Sequence, residues 1–156
     1  MKSTTYVGAG IILTRIRNDE THYLLLKGLG RDGVWSFSKG HPEFCDYESP
    51  LRTAVRETTE ETGLVAGCDY NIVGDSIRFG KRPYWVGILN VDAAEVVVCR
   101  AEHSMAAWFT WEEISALNAN TDVRAWVKKS RGTNGKFMYL TSPPLLSQMQ
   151  NTRLSA

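Results

Sequence analysis

The sequence predicts an α+β fold, a mixed β-sheet with helices packed on it, and three observations carry that expectation. Short runs rich in Ile, Leu, Val and Tyr recur in both halves of the chain. One helical segment with start and stop signals at both ends lies between them, and further helix-capping signals gather towards the C-terminal end. The 156 residues, 43% of them hydrophobic, suit a single domain with one sizeable core.

Taken in order, Tyr6 to Arg15 and Tyr23 to Lys27 read as two strands joined by a hairpin through the polar Asn18-Asp19-Glu20-Thr21. A glycine-punctuated loop, Gly28 to Gly33, leads to the short strand Val34-Trp35-Ser36-Phe37 and delivers the chain to Lys39-Gly40-His41-Pro42. Ser49-Pro50 is a helix start. The Ser oxygen can accept from free backbone N–H groups, and Pro at the first helical position gives up no hydrogen bond. The helix runs from Pro50 to about Thr62, where Gly63 supplies a left-handed cap.

Tyr70 to Phe79 and Pro83 to Val91 form a second strand pair around Gly80-Lys81-Arg82, and Val96-Val97-Val98 and Met105 to Trp111 continue the β character. Thr110 with Glu113 makes a capping box before a short helix through Leu117. Thr121 caps a last helix carrying Val123, Trp126 and Val127. With no repeat or linker in view, residues 1–146 are expected to form one domain, followed by a polar tail at 147–156 after the Pro143-Pro144 pair.

Lys and Arg total 18 against 17 for Asp and Glu, a net charge of +1, so no global field marks a general nucleic-acid binder. An anionic ligand must be held locally. Cys45, Cys68 and Cys99 show neither a disulfide framework nor a metal-ligand spacing, which suits a reducing interior. No signal-like run and no stretch of ~18 apolar residues is present, so a soluble, cytoplasmic protein with no membrane or obligate protein partner is expected.

On the helix, Glu57, Glu60 and Glu61 lie three and four residues apart and fall within roughly a quarter turn of one another. Leu51, Ala54, Val55, Thr58 and Thr62 form the neighbouring stripe that packs on a sheet. Like charges at that spacing cost helix stability unless a cation reverses the sign, and hard divalent ions take oxygen ligands, so the cluster suits Mg²⁺ or Mn²⁺. A solvated acidic face partnered by Arg52 and Arg56 is the alternative.

Around this cluster stand Gly40, Glu48 and the run Arg56-Glu57-Thr58-Thr59-Glu60-Glu61-Thr62-Gly63-Leu64. This order resembles the Nudix box: glycine, five residues, glutamate, seven residues, then Arg-Glu-aliphatic-x-Glu-Glu-x-Gly-aliphatic. Seven residues separate Glu48 from Arg56, Thr58 stands where an aliphatic residue is usual, and seven residues rather than five separate Gly40 from Glu48. The resemblance implies the Nudix fold, a central mixed sheet sandwiched between helices with a loop-helix-loop catalytic motif, and hydrolysis of a phosphoanhydride with Mg²⁺ or Mn²⁺. It implies Glu57, Glu60 and Glu61 as metal ligands, with the Gly40 carbonyl as a further one, and an ion pair of Glu48 with Arg56 that orients them.

Further features resemble the asymmetric diadenosine-tetraphosphate hydrolases within that family. These are Trp35, Ser38-Lys39-Gly40-His41 (the subfamily has Pro at 38), Arg56-Glu57-Thr58, Tyr84-Trp85 and Glu102-His103. By that likeness Glu102 acts as base or extra ligand and Tyr84 stacks on an adenine. Lys39 and Arg82 are candidate phosphate contacts, and His41 either joins them or makes a loop hydrogen bond. The bland readings are a solvated glutamate for Glu102, a core residue for Tyr84 and surface cations for Lys39, Lys81 and Arg82.

Three rivals remain. One is hydrolysis at an RNA 5′ end, cap or pyrophosphate, helped by a local basic patch at Lys128-Lys129-Ser130-Arg131 with Lys136. A diphosphoinositol or nucleotide-sugar substrate is another, and a non-hydrolysing nucleotide sensor is the third. The intact glutamates speak against a sensor.

Overall fold

The computed structural model describes residues 6–131, so the polar tail at 147–156, the Pro143-Pro144 pair and Lys136 lie outside the described residues. β1 (Ala9–Arg17) and β2 (Glu20–Gly28) form an antiparallel hairpin with Arg17 opposite Glu20. The turn is only Asn18-Asp19, at φ 51° and 63°. Short polar Asx side chains tolerate this left-handed pair, whose twist matches that of the strands. Glu20 and Thr21, expected in the turn, are therefore already in β2.

β3 (Trp35–Ser36) and β4 (Ser38–Gly40) follow, then α1 (Pro50–Thr62), β5 (Tyr70–Phe79), β6 (Arg82–Leu89), β7 (His103–Phe109), α2 (Trp111–Ser115) and α3 (Thr121–Lys129). The strands make one sheet in the order β3-β2-β1-β6-β5, with β4 added to β1 and β7 to β2. β1 and β6 run parallel and the other pairs antiparallel, which makes the sheet mixed.

Period-2 alternation sends β1 side chains to two cores. Ala9, Ile11 and Leu13 pack with Leu24, Tyr70, Leu64 and Ala54 of α1 on one face. Ile12 joins Tyr23, Leu25, Phe37 and Val86 on the other, beneath Ile114 of α2 and Val123 and Trp126 of α3. The sheet is thus covered by helices on both faces.

α1 has the expected ends: Ser49 accepts from the Arg52 N–H, Pro50 opens the helix, and Gly63 at φ 76° returns its N–H to the Thr59 carbonyl. Its buried stripe includes Ala54, Thr58 and Thr62 as expected, but Leu51 is exposed and Thr53 is buried instead. Thr53 Oγ1 donates to Asp46 Oδ2 at 2.7 Å and lies 2.9 Å from Tyr6 Oη, polar contacts that an apolar-stripe reading does not register.

Val96-Val97-Val98 is not a strand. The N–H groups of Val97 and Cys99 donate to the carbonyls of Thr62 and Glu61, so the segment satisfies the open end of α1 rather than a sheet ladder. Asn120, not Thr121, caps α3, accepting from the Val123 N–H, and α2 stops at Ser115, short of Leu117. The capping box of Thr110 with Glu113 is present. No helix among the described residues is long and apolar enough to cross a membrane.

Candidate active site

The last two turns of α1 lie against β4, and this contact buries Glu61 to 3% exposure. Glu61 Oε1 accepts from Ser38 Oγ at 2.9 Å and from the Lys39 backbone N–H at 2.9 Å. Ser38 stands where the resembled subfamily has proline, and its hydroxyl gives the carboxylate a donor that proline lacks. Burial pushes the Glu61 carboxyl up to about 7, against the opposing pull of these two hydrogen bonds, and the charge of Glu57 adds to the rise.

Glu57 is half-buried, and burial also raises its carboxyl, with Arg56 pulling the other way. It packs so close to β4 that a Cβ at Gly40 would fall 1.9 Å from Glu57 Cδ, so a side chain at position 40 would displace the Glu57 carboxylate. The Gly40 backbone and the Glu57 carboxylate are thereby placed side by side.

Arg56 is the hub beneath this cluster. Its Nε and Nη2 donate to the two oxygens of Asp46 at 2.9 Å each, Nη2 also reaches the His41 carbonyl at 2.8 Å, and Nη1 reaches Glu57 and Glu60 at 3.1 Å. The guanidinium holds the buried Asp46 carboxyl well below the usual carboxylate range. Glu60 is exposed and directed to Arg56, while Glu61 turns inward to Ser38 and the Lys39 N–H.

The expected Glu48–Arg56 ion pair is absent among the described residues, and Asp46 takes that place. The signal was in the sequence: five residues separate Gly40 from Asp46, the spacing of the first half of the box with Asp for Glu. The two additional residues therefore lie after the acid. Tyr47 and Glu48, both left-handed at φ 51° and 59°, form the bulge that carries the chain from Asp46 into α1.

Glu102 and His103 reach the cluster from the opposite side, because the chain that satisfies the α1 carbonyls ends beside Glu61. One ligand atom from each of Glu61, Glu102 and His103 lies within 4.8 Å of the others. Glu102 is exposed in the loop, whereas His103 opens β7 and is buried. Its Nε2 is 3.5 Å from Glu61 Oε2, and burial draws the imidazole below its usual value, with Glu102 opposing. Sequence reasoning assigned no role to His103 or Asp46.

Of the candidate substrate residues, Lys39 sits at the cluster, its charge acting on both Glu61 and His103. His41 has Nδ1 3.1 Å from the Val7 carbonyl, the loop hydrogen bond foreseen as its simpler role. Arg82 is tied to the buried Asp122 at 3.0 Å. Tyr84 corrects the stacking expectation: it is fully buried, its ring lies edge-on to Phe37 at 5.8 Å and near Phe79, and its hydroxyl donates to Asp122. No ring face is left for a base.

Carboxylates that crowd together with raised affinity for protons are what a divalent cation relieves, and the donors here are carboxylate oxygens with one imidazole. The residues present therefore fit a divalent metal.

A family model described as NUDIX domain matches residues 6–129. The bis(5′-nucleosyl)-tetraphosphatase [asymmetrical] of Sus scrofa is 30% identical over 122 residues, 73% of this chain and 81% of that protein. The crystal structure of a C. elegans Ap4A hydrolase binary complex superposes with a TM-score of 0.65 at 23% identity, covering 78% of this chain and 93% of that one. RenU, a Nudix hydrolase from M. smegmatis, also gives 0.65, at 18% identity over 85% and 87%. At such identities the two structures speak to the fold alone.

Proposed function

Because this chain belongs to the Nudix family of hydrolases acting on phosphoanhydrides, we propose that its substrate is diadenosine tetraphosphate, cleaved by water to ATP and AMP. The reading is supported above all by Glu102, which a loop outside the box brings within 4.8 Å of Glu61, at the position where the asymmetric tetraphosphatase resemblance expects it.

Glu57, Glu60, Glu61 and the Gly40 carbonyl would hold Mg²⁺ or Mn²⁺, which when bound neutralises phosphate charge and makes water easier to deprotonate. The chain supplies the rest. Glu102, exposed beside the cluster, accepts the proton of the attacking water on one oxygen of its carboxylate, which leaves the other able to face the metal. Lys39, beside Glu61, neutralises a phosphate oxygen as a point cation. Arg56 does not touch substrate in this reading; it fixes Glu57 and Glu60 and ties them to Asp46 and to the His41 carbonyl. Arg82, its guanidinium oriented by Asp122, and His41 face the outer phosphates. The adenine platform is not Tyr84. A cytoplasmic setting belongs to the same proposal and suits the three free cysteines.

The test is a hydrolysis panel with Mg²⁺ over dinucleoside polyphosphates, nucleoside triphosphates, capped and triphosphorylated RNA, sugar nucleotides and diphosphoinositols. ATP and AMP formed in clear preference to other products support the reading, whereas two ADP, or preference for another class, sinks it. An RNA preference would give meaning to the cations Arg124, Lys128 and Arg131, which line an open cavity of about 270 Å³ between α2 and α3. Tight nucleotide binding without turnover would indicate a sensor.

A further inference from the structure

His103 is oddly placed for a structural residue. It is 9% exposed, its Nδ1 is buried without a hydrogen-bond partner, and its Nε2 makes no hydrogen bond among the described residues. The nitrogen that meets the cluster is Nε2, which the described residues leave without a hydrogen bond. What faces Nε2 is Glu61 Oε2 at 3.5 Å, beyond the ordinary N–H···O range of about 2.7–3.2 Å.

The same spacing fits a different relationship. Two ligand atoms each about 2.1 Å from one ion, at octahedral or tetrahedral angles, stand about 3.0–3.4 Å apart. Glu61 is already arranged for this division of labour, since Oε1 is held by Ser38 and the Lys39 N–H while Oε2 is left facing the imidazole. The Glu102 carboxylate lies within 4.8 Å of both and is exposed, so it can close on the same point.

The geometry points to His103 as a metal ligand: its Nε2, Glu61 Oε2 and a Glu102 oxygen form a mixed nitrogen–oxygen position for a divalent transition ion. The inference rests on the reading that Glu61 serves a metal, and adds to it a nitrogen donor and hence a preference. Mg²⁺ takes oxygen ligands and gains little from imidazole, whereas Co²⁺ and Zn²⁺ are favoured by it, with Mn²⁺ between. A nitrogen donor shifts the preference of the position towards these transition ions, relative to a shell of glutamates alone.

The full chain, stripped of metal and loaded with Mn²⁺, is read by electron spin-echo spectroscopy for coupling to ¹⁴N. An imidazole-nitrogen coupling is expected in the wild type, unchanged in His22→Gln and His41→Gln, which remove the chain's other two histidines, and lost in His103→Gln. In calorimetry with the metal alone, His103→Gln weakens Zn²⁺ at least about tenfold and changes Mg²⁺ by less than about threefold. The wild-type signal and the two control variants assign the nitrogen even if His103→Gln does not fold. Mn²⁺ bound with no nitrogen coupling, or a coupling that disappears in His41→Gln, overturns the inference while leaving the glutamate site standing. No binding of any divalent ion overturns both.

Discussion

Arg56 and Asp46 meet side by side, Nε on Oδ1 and Nη2 on Oδ2, both at 2.9 Å, and through this pair the loop before α1 is bolted to the glutamates of the helix. Planar two-point pairing of this kind is worth more than a single contact, and Asp46 is buried. Asp46→Asn is expected to cost about 2–3 kcal/mol in urea denaturation, and Glu48→Gln within about 0.5 kcal/mol. A larger loss for Glu48→Gln would restore Glu48 as the partner. The Asp46 carboxyl is held below its unfolded value, so its stabilisation is present above that value and lost as pH falls through the folded one. The acid limb of the wild type should therefore be steeper than that of Asp46→Asn.

Glu61 has the opposite sign. Its carboxyl is raised from 4.5 to about 7 in the folded chain. Between those values the folded state binds more protons than the unfolded one, so metal-free protein loses stability as pH rises through that window and levels off above it. The loss is at most about 3 kcal/mol. Glu61→Gln should flatten the profile, and saturating Mg²⁺ should reverse its slope by favouring the charged form. Because the lowered His103 imidazole contributes with the opposite sign, the comparison decides: equal slopes for metal-free wild type and Glu61→Gln from pH 5 to 7 count against the burial argument.

Glu102 is exposed and its carboxylate makes no hydrogen bond or ion pair among the described residues, so Glu102→Gln should leave the melting temperature within a degree or so while lowering kcat by about 10²–10⁴-fold with KM little changed. Wild-type turnover in that variant would remove it from the chemistry.

Tyr84→Phe separates a core tyrosine from a base platform. A stacking ring would survive the change, whereas the structure expects a loss of about 1–2 kcal/mol because buried Asp122 loses a donor and, among the described residues, keeps Arg82 alone. Thermal unfolding and the apparent substrate affinity, measured together, decide: unchanged stability with altered KM would contradict the burial.

Gly40→Ala should act on the site with no change at its chemistry. The added Cβ would collide with the Glu57 carboxylate, so Mg²⁺ affinity and kcat should fall together, by about tenfold or more. Unaltered Mg²⁺ binding would show that the loop gives way freely.

What the sequence determined by itself was local. The limits of α1 are set by Ser49, Pro50 and Gly63, which act on backbone groups within one turn, and the β5–β6 strands by their own residue pattern around Gly80. The order Arg56-Glu57-x-x-Glu60-Glu61 places three carboxylates on a helix whatever the sheet does. Only the tertiary structure decided which of them turn inward: Glu61 is buried because β4 lies against α1, and Glu60 is not. Val96-Val97-Val98 has strand propensity, but the unsatisfied carbonyls of α1 compete for its N–H groups and win, and that competition carries Glu102 and His103 to Glu61. Tyr84 reads equally as platform or core until α3 brings Asp122 to its hydroxyl. Pairings across 38 residues, as here, or the 10 between Asp46 and Arg56, depend on how elements pack, and no local propensity encodes that.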